Sequence, residues 1–456
     1  MAALELRSTF AKHLDVEALY KTDPPKFGHD MHKVFGFDPK YINLNHGSYG
    51  SLPLPVRAEC DRLTSEIESS PDRFLRLIGI NHLNEVRERI AKFIGANTDE
   101  IVIVNNASHG IGTILRNIEW HKGDIILGTT TTYGAVSQAI KYLADIPPNP
   151  DISTFNLQFP ISHSEIIIAF REHIRKLTQR PDAQDYPERK TVAVIDSIVS
   201  NPGARLPWKE MVSICKEAGV WTVVDAAHSI GQEPNINLSE AQPDFWVSNC
   251  HKWLLSKRGC AVLYVPHRNQ HIIKSPIPTP VTYLSPHDED YHGPELFTKM
   301  FEWTGTIDFV PYFSVTAVFD FRKWIGGEEK IYEYCHNLAL TGGKRLAQIM
   351  GTSVMDEDGE LTYNMVNVEL PIPGTIQPTS EIDALIKTRL LLDRNMYAAH
   401  FHHNGKWWTR CSTQIWNEIS DFEALGEAFN DISLEVVKSA GNQHVTCTTD
   451  NRCIVS

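Results

Sequence analysis

The chain of 456 residues is 42% hydrophobic and 22% charged, and its formal net charge is −13. A chain this long has room for two or three domains of ~100–200 residues and buries enough surface to need no disulfide staples. An acidic balance with no basic block excludes nucleic-acid backbones as partners, because phosphates are met by clustered Lys and Arg. No apolar run reaches the ~18–20 residues of a membrane-spanning helix. The opening MAALELRSTFAKHLD has neither the apolar core nor the small-residue cleavage site of a secretory signal. The eight cysteines are scattered without a CxxC pair, which reads as reduced thiols, mostly buried. The expectation is a cytoplasmic protein.

Residues 1–40 are polar, carry Pro24 and Pro25, and read as an N-terminal arm. Short apolar runs then alternate with segments of helical period. The runs are EIVIVNN (100–106), GDIILGT (123–129), TVAVIDS (191–197), VWTVVDA (220–226), DFWVSN (244–249) and CAVLYV (260–265). Each is nearly continuous in Val, Ile, Leu or aromatic residues, as strands buried on both faces require. Between them lie amphipathic stretches such as LPWKEMVSICKEAG (206–219), closed by a glycine suited to a helix C-terminus. Strand and helix in alternation predict an α/β domain over 41–325, with a largely parallel sheet covered by helices. Gly326 and Gly327 interrupt the pattern. Beyond them come a helix (328–350), a strand (364–371), a helix (380–394), a His- and Trp-rich strand region (397–412) and a last helix (421–438), a smaller α+β domain over 326–456.

Chemistry concentrates on Asp225 and Lys252, each expected at or just past the end of a strand. Ligands of open α/β sheets sit at the carboxyl ends of strands, so both residues should face one crevice. A lysine there can form a Schiff base, and a carboxylate can pair with a protonated ring nitrogen. A helix cap at Asp225 and a solvated Lys252 are the plainer alternative. Asp196 and Ser200 also fall at a strand end.

The sequence resembles the class V aminotransferase superfamily of fold-type-I pyridoxal-phosphate (PLP) enzymes over about residues 35–435. The matching motifs are NLNHGSYGSLP (43–53), NNASHGIGTILRN (105–117), TTTTYGAV (129–136), VDAAHSIG (224–231), SNCHKW (248–253), FEWTGTID (301–308) and RCSTQIWNEISDFE (410–423). The resemblance implies a mostly parallel seven-stranded sheet with helices on both faces, PLP held on Lys252, and Asp225 on its ring nitrogen. It implies a phosphate site at Ala107, Ser108 and His109, where a helix start offers N–H groups and a favourable dipole, although Ser108 could equally be a plain N-cap. Asn249 or Ser248, with His251, resemble the remaining phosphate contacts; many members have a serine where this chain has Asn249. Tyr133 matches the ring over the cofactor, and its phenol is an acid–base candidate. His228 matches the group on the phenolic oxygen. Arg410 matches the two-pronged grip on a substrate carboxylate, with Asn45 and His46 in the same pocket. Thr306 matches a threonine that reaches the neighbouring subunit's cofactor, which implies a homodimer with shared sites.

Within this superfamily the chain is most similar to the fungal isopenicillin-N-epimerase-like branch, near the class V enzymes of loline-alkaloid clusters and hercynylcysteine sulfoxide lyase. An amino-acid substrate and a carbanion at its Cα are implied, and the cofactor alone does not select the reaction. No cysteine lies between Cys335 and Cys411, which argues against a persulfide-forming desulfurase. The lyase group tends to carry arginines where this chain has His403, Asn404 and Lys406. That difference favours alkaloid-type chemistry over the C–S lyase alternative. His400, His402 and His403, near Trp407 and Trp408, lack a carboxylate or thiolate at ligand spacing, so no metal is expected and a substrate-pocket strand is preferred. The terminal Cys453-Ile454-Val455-Ser456 fits a prenylation box, with Cys447 available for a second lipid. Without a polybasic run a chance match is the preferred reading, and membrane contact is expected only if Cys453 is prenylated.

Overall fold

The computed structural model describes residues 14–179, 189–289, 291 and 296–446, side chains of 441–446 excepted. Cys447, Cys453 and the CIVS terminus lie outside the described residues. A seven-stranded sheet forms the centre. Its strands are β2 (Ile101–Val104), β3 (Ile125–Thr129), β4 (Asp151–Phe155), β5 (Thr191–Asp196), β6 (Trp221–Asp225), β7 (Phe245–Asn249) and β8 (Ala261–Tyr264), in the order β2-β8-β7-β6-β5-β3-β4. Only β8 runs against its neighbours; the other pairs are parallel. Two antiparallel steps restore the direction of β2. The carboxyl ends of β2, β3, β5, β6 and β7 therefore open on one edge, where ligands of such sheets bind.

Alternate residues of each strand feed opposite faces, as the period of two demands. Ile101, Ile103, Ala193, Ile195 and Val224 join one core with Phe170 and Met211 from the helices. Val102, Val104, Val192, Val194 and Val223 join the other with Ile111, Ile114 and Val136. The helices on the first face include α1 (Leu54–Ser69), α2 (Gly79–Ile94), α5 (His163–Thr178), α6 (Trp208–Glu217) and α7 (Val310–Trp324). Those on the second are α3 (Ala107–Asn117) and α4 (Gly134–Asp145). The sequence reading missed β4. It is an edge strand whose Asp151, Ile152 and Thr154 are exposed, so it lacks the continuous apolar signature.

A second sheet, β11-β12-β9, is antiparallel and joins β9 (Met365–Glu369), β11 (Ala399–His403) and β12 (Lys406–Ser412). It packs with α8 (Glu328–Met350), α9 (Ser380–Thr388) and α10 (Ile419–Thr446) around a separate core. The helix expected over 380–394 is α9 followed by a wider π turn at Arg389–Asp393. Two findings modify the expected division. Met31 and Phe35, expected in a polar arm, are fully buried in the main core, and Phe35 meets Trp416 edge to face at 4.6 Å. Strand β1 (Ile42–Asn43) pairs in parallel with β10 (Met396–Tyr397), and Leu44 belongs to the small-domain core. Among the described residues no helix is long and apolar enough to cross a membrane.

Candidate active site

The strand ends set out the site. Asp196 closes β5 and Asp225 closes β6, and the two face each other in register. Lys252 lies three residues past β7, on a turn closed by the Ser256 N–H donating to the Cys250 carbonyl at 3.1 Å. These residues line a cavity of about 350 Å³ together with Asn106, Ala107, Ser108, Tyr133, His228, Asn249 and His251. Ser48, Tyr49, Ile198, Ser200 and Ala227 complete the wall.

The turn bearing Lys252 is gripped from several sides. Gly50 (φ +69°) passes so near that a Cβ there would lie 1.6 Å from the His251 carbonyl oxygen. Gly231 (φ +83°) allows the same close approach to Leu254. Only glycine satisfies both the backbone angle and the space at these positions. His46 Nε2 donates to the Lys252 carbonyl at 2.9 Å. Arg322 donates to the carbonyls of Trp253 at 2.9 Å and Gly231 at 3.1 Å, and pairs through Nε with Glu328 at 2.6 Å.

Burial dominates the electrostatics. It drives the Lys252 amine down to about 8, with the Arg410 charge acting the same way and Asp225 opposing. His228 is held well below its ordinary value by burial and then by the Lys252 and Arg410 charges. Burial raises Asp225, against the pull of the Ala227 N–H (3.1 Å) and of Lys252. Burial and the Asp225 charge push Asp196 well above the carboxylate range. Two buried carboxyls side by side hold a proton more tightly than either alone. Arg410 is 2% exposed, and burial lowers it to about 10. Its Nη1 donates to the Ser200 carbonyl at 2.7 Å, and its Nη2 to Asn45 Oδ1 (3.1 Å) and Ser48 Oγ (3.0 Å). Its buried Nε has no hydrogen-bond partner, and none of the described ion pairs uses it.

The structure thus brings Ala107, Ser108, Tyr133, Asp225, His228, Asn249, His251 and Lys252 to one cavity. Tyr133 is half exposed at its mouth. Other expected residues stand elsewhere. Asn45 steadies Arg410, and His46 sits beneath the lysine turn rather than on the wall. The N-cap of α3 is Asn106, not Ser108; its side chain accepts from the His109 N–H at 2.9 Å, and the His109 ring is off the cavity. Asn249 Oδ1 accepts from the Ala107 N–H at 2.9 Å, tying β7 to α3. Ser248 is buried against the Ala226 carbonyl and the Ile230 N–H. Thr306 is exposed on a separate surface groove with Pro71, Asp72 and Trp303. The histidines of β11 do not line the cavity. His400 pairs with Asp383 at 3.1 Å, His402 meets Trp407 edge-on, and His403 accepts from the Phe159 N–H at 2.9 Å. Sequence reasoning passed over Ser48, Tyr49, Ile198 and Trp253; the first two stand inside the quoted NLNHGSYGSLP motif.

A buried lysine amine, a buried carboxylate and the N-terminus of α3 around one crevice match the three ends of PLP: aldehyde, ring nitrogen and phosphate. The fold and site define a PLP-dependent enzyme of fold type I. The chain belongs to the class V aminotransferase family. The aminotransferase class-V model matches residues 165–389, and that for aminotransferase class I and II matches 39–250. The L-cysteine desulfhydrase-like protein lolT1 of Epichloe uncinata is 33% identical over 450 residues, covering 90% of this chain and 97% of that protein. Hercynylcysteine sulfoxide lyase of Schizosaccharomyces pombe is 31% identical, covering 89% and 97%. The cystine C–S lyase C-DES, solved with cysteine persulfide, has the same fold at a TM-score of 0.70 and 16% identity, covering 86% of this chain and 97% of its own.

The lysine environment is directly measurable. With rising pH the Lys252 ammonium should lose its proton near pH 8 rather than at its ordinary 10.5. Reductive ¹³C-methylation of the cofactor-free protein, followed by NMR, reads that midpoint. Arg410→Met should move it upward by removing a neighbouring cation; a wild-type midpoint at 10 or above would contradict the buried-amine reading.

Proposed function

We propose that the enzyme is a C–S lyase acting on an L-cysteine-derived substrate. Arg410 supports an amino-acid substrate most directly. A buried guanidinium without a carboxylate partner is costly until an anion arrives, and the substrate α-carboxylate is such an anion. Ser48 and Ser200, which hold the Arg410 fork, line the cavity, and the guanidinium lies directly behind them. The names of the relatives, desulfhydrase-like and sulfoxide lyase, support sulfur at Cβ. No described cysteine lines the cavity, which argues against relay of sulfur through a protein persulfide.

PLP, when bound, accepts the electron pair left at Cα as a bond there breaks. Asp225 would keep its ring nitrogen protonated, Ser108 and the start of α3 would hold its phosphate with His251, and Tyr133 would cover its ring. Lys252, whose proton is released near pH 8, takes the Cα proton in its free-amine form. The pair released at Cα expels the sulfur from Cβ as a thiolate or sulfenate, which picks up a proton. The carbon skeleton leaves as the enamine of pyruvate, and water converts it to pyruvate and ammonium. Alkaloid-type chemistry would share the deprotonation and diverge afterwards. The residues that favoured it, His403, Asn404 and Lys406, lie on the β11–β12 hairpin, where Lys406 pairs with Glu369 and Asn404 donates to the Phe159 carbonyl.

Incubation with L-cysteine, cysteine S-conjugates and a cysteine sulfoxide should yield pyruvate and ammonium in equal amounts, and Lys252→Ala should yield none. Amino transfer to a 2-oxo acid, or a ring-closed product from an aminopropyl-substituted amino acid, with no pyruvate from any sulfur substrate, would overturn the lyase reading.

Arg410→Lys keeps the charge and loses the planar fork. KM should rise by the equivalent of ~1.5–3 kcal/mol while the cofactor's visible band is retained; unchanged kinetics would place Arg410 outside substrate contact.

We further propose a homodimer in which Thr306 completes the partner's site, in keeping with its exposure away from its own cavity. Mixing Lys252→Ala with an inactive Thr306→Val protein should restore part of the activity, and a fully active monomer by light scattering would exclude this arrangement.

A further inference from the structure

Trp253 follows the lysine and is fully buried. Its indole Nε1–H donates to His228 Nδ1 at 3.2 Å, and His228 Nε2 lies 3.1 Å from Lys252 Nζ. An indole N–H can only donate, so Nδ1 must be the unprotonated nitrogen and the ring proton of a neutral His228 must sit on Nε2. That nitrogen then faces Lys252 as a donor. An ammonium has no lone pair to accept it. The contact is complete only when Lys252 is the free amine.

We propose that Trp253 is a positioning residue that locks His228 as the Nε2–H tautomer, so that the imidazole donates to the Lys252 amine and cannot accept from its ammonium. The indole is itself fixed. Its carbonyl is held by Arg322, and its ring packs on Gly47, where a Cβ would fall 3.2 Å from the indole edge. Without the indole N–H, His228 is free to move its proton to Nδ1 and present Nε2 as an acceptor, which stabilises the ammonium. Trp253 thus favours the form of the lysine that attacks carbonyl carbon and accepts protons. The other charged or titratable groups around this pair are Asp225, Arg410, His251 and His46, and they are unchanged by substitution at Trp253.

The test uses the full-length protein without cofactor or substrate. Long-range ¹⁵N–¹H spectra of histidine-labelled protein, with His228 assigned by signal loss in His228→Phe, should show Nδ1 unprotonated and Nε2 protonated. In Trp253→Phe the signals should move toward the Nδ1–H pattern. The Lys252 midpoint, read by ¹³C-methylation, should rise by about one pH unit, the scale of one lost hydrogen bond. In a His228→Phe background the same Trp253→Phe change should leave the midpoint where it was, whereas a merely structural role would shift it in both backgrounds. An Nδ1–H signature for His228 in the wild type overturns the proposal even if Trp253→Phe fails to fold. An unchanged midpoint in a folded Trp253→Phe overturns it as well. Neither result bears on which bond the enzyme breaks, so the lyase reading stands or falls separately.

Discussion

Burial governs this site, and it encloses a positive charge that has no carboxylate partner among the described residues. Arg410 is surrounded by a carbonyl, an amide and a hydroxyl, and none of these neutralises it. In a low-dielectric interior that charge reaches its neighbours almost unscreened. Added to the larger effect of burial, it lowers Lys252 and His228 together, so that Lys252 gives up its proton near pH 8 and His228 stays neutral. The same deficit makes the cavity receptive to anions, and an amino acid bound to a phosphorylated cofactor brings two. The acidic surface of the whole chain gives no hint of this local inversion.

A site of this kind demands rigidity, because a lysine that drifts would find water or a carboxylate. Several independent contacts hold its turn, from β1's downstream segment, from the loop after β6 and from α7. Arg322 is instructive beside Arg410. Both are nearly inaccessible, yet Arg322 has Glu328 as an ion-pair partner and Arg410 has none among the described residues. The first arginine is spent on architecture, and the second keeps a buried Nε without a hydrogen-bond partner.

Much of this was legible in the sequence. Strands buried on both faces announce themselves as unbroken apolar runs, and four of the six runs end at or just before a cavity residue. The order of motifs located Lys252, Asp225, Ala107 and Tyr133 at the same crevice. What stayed hidden depends on distance in the chain. Edge strand β4 carries polar residues because one side meets water. His46 and Asn45 look like pocket residues by position, and only the folded backbone shows that one supports a carbonyl and the other a guanidinium. The histidines of β11 invite a functional reading until Asp383, Trp407 and Phe159 are seen to engage them. Trp253 reads as a core aromatic, and nothing local reveals where its N–H points.

The pairing of β1 with β10 has a mechanical consequence. Residues 42–48 begin as an edge of the small sheet's domain and end against the lysine turn, so one short stretch of chain is shared by both bodies. Arg410, on the small domain, is bolted to that stretch through Asn45 and Ser48 and to the large domain through Ser200. Any swing of one lobe against the other must stretch these bonds together. The distance from the Arg410 guanidinium to the lysine is thereby set as in a vice with a fixed throat.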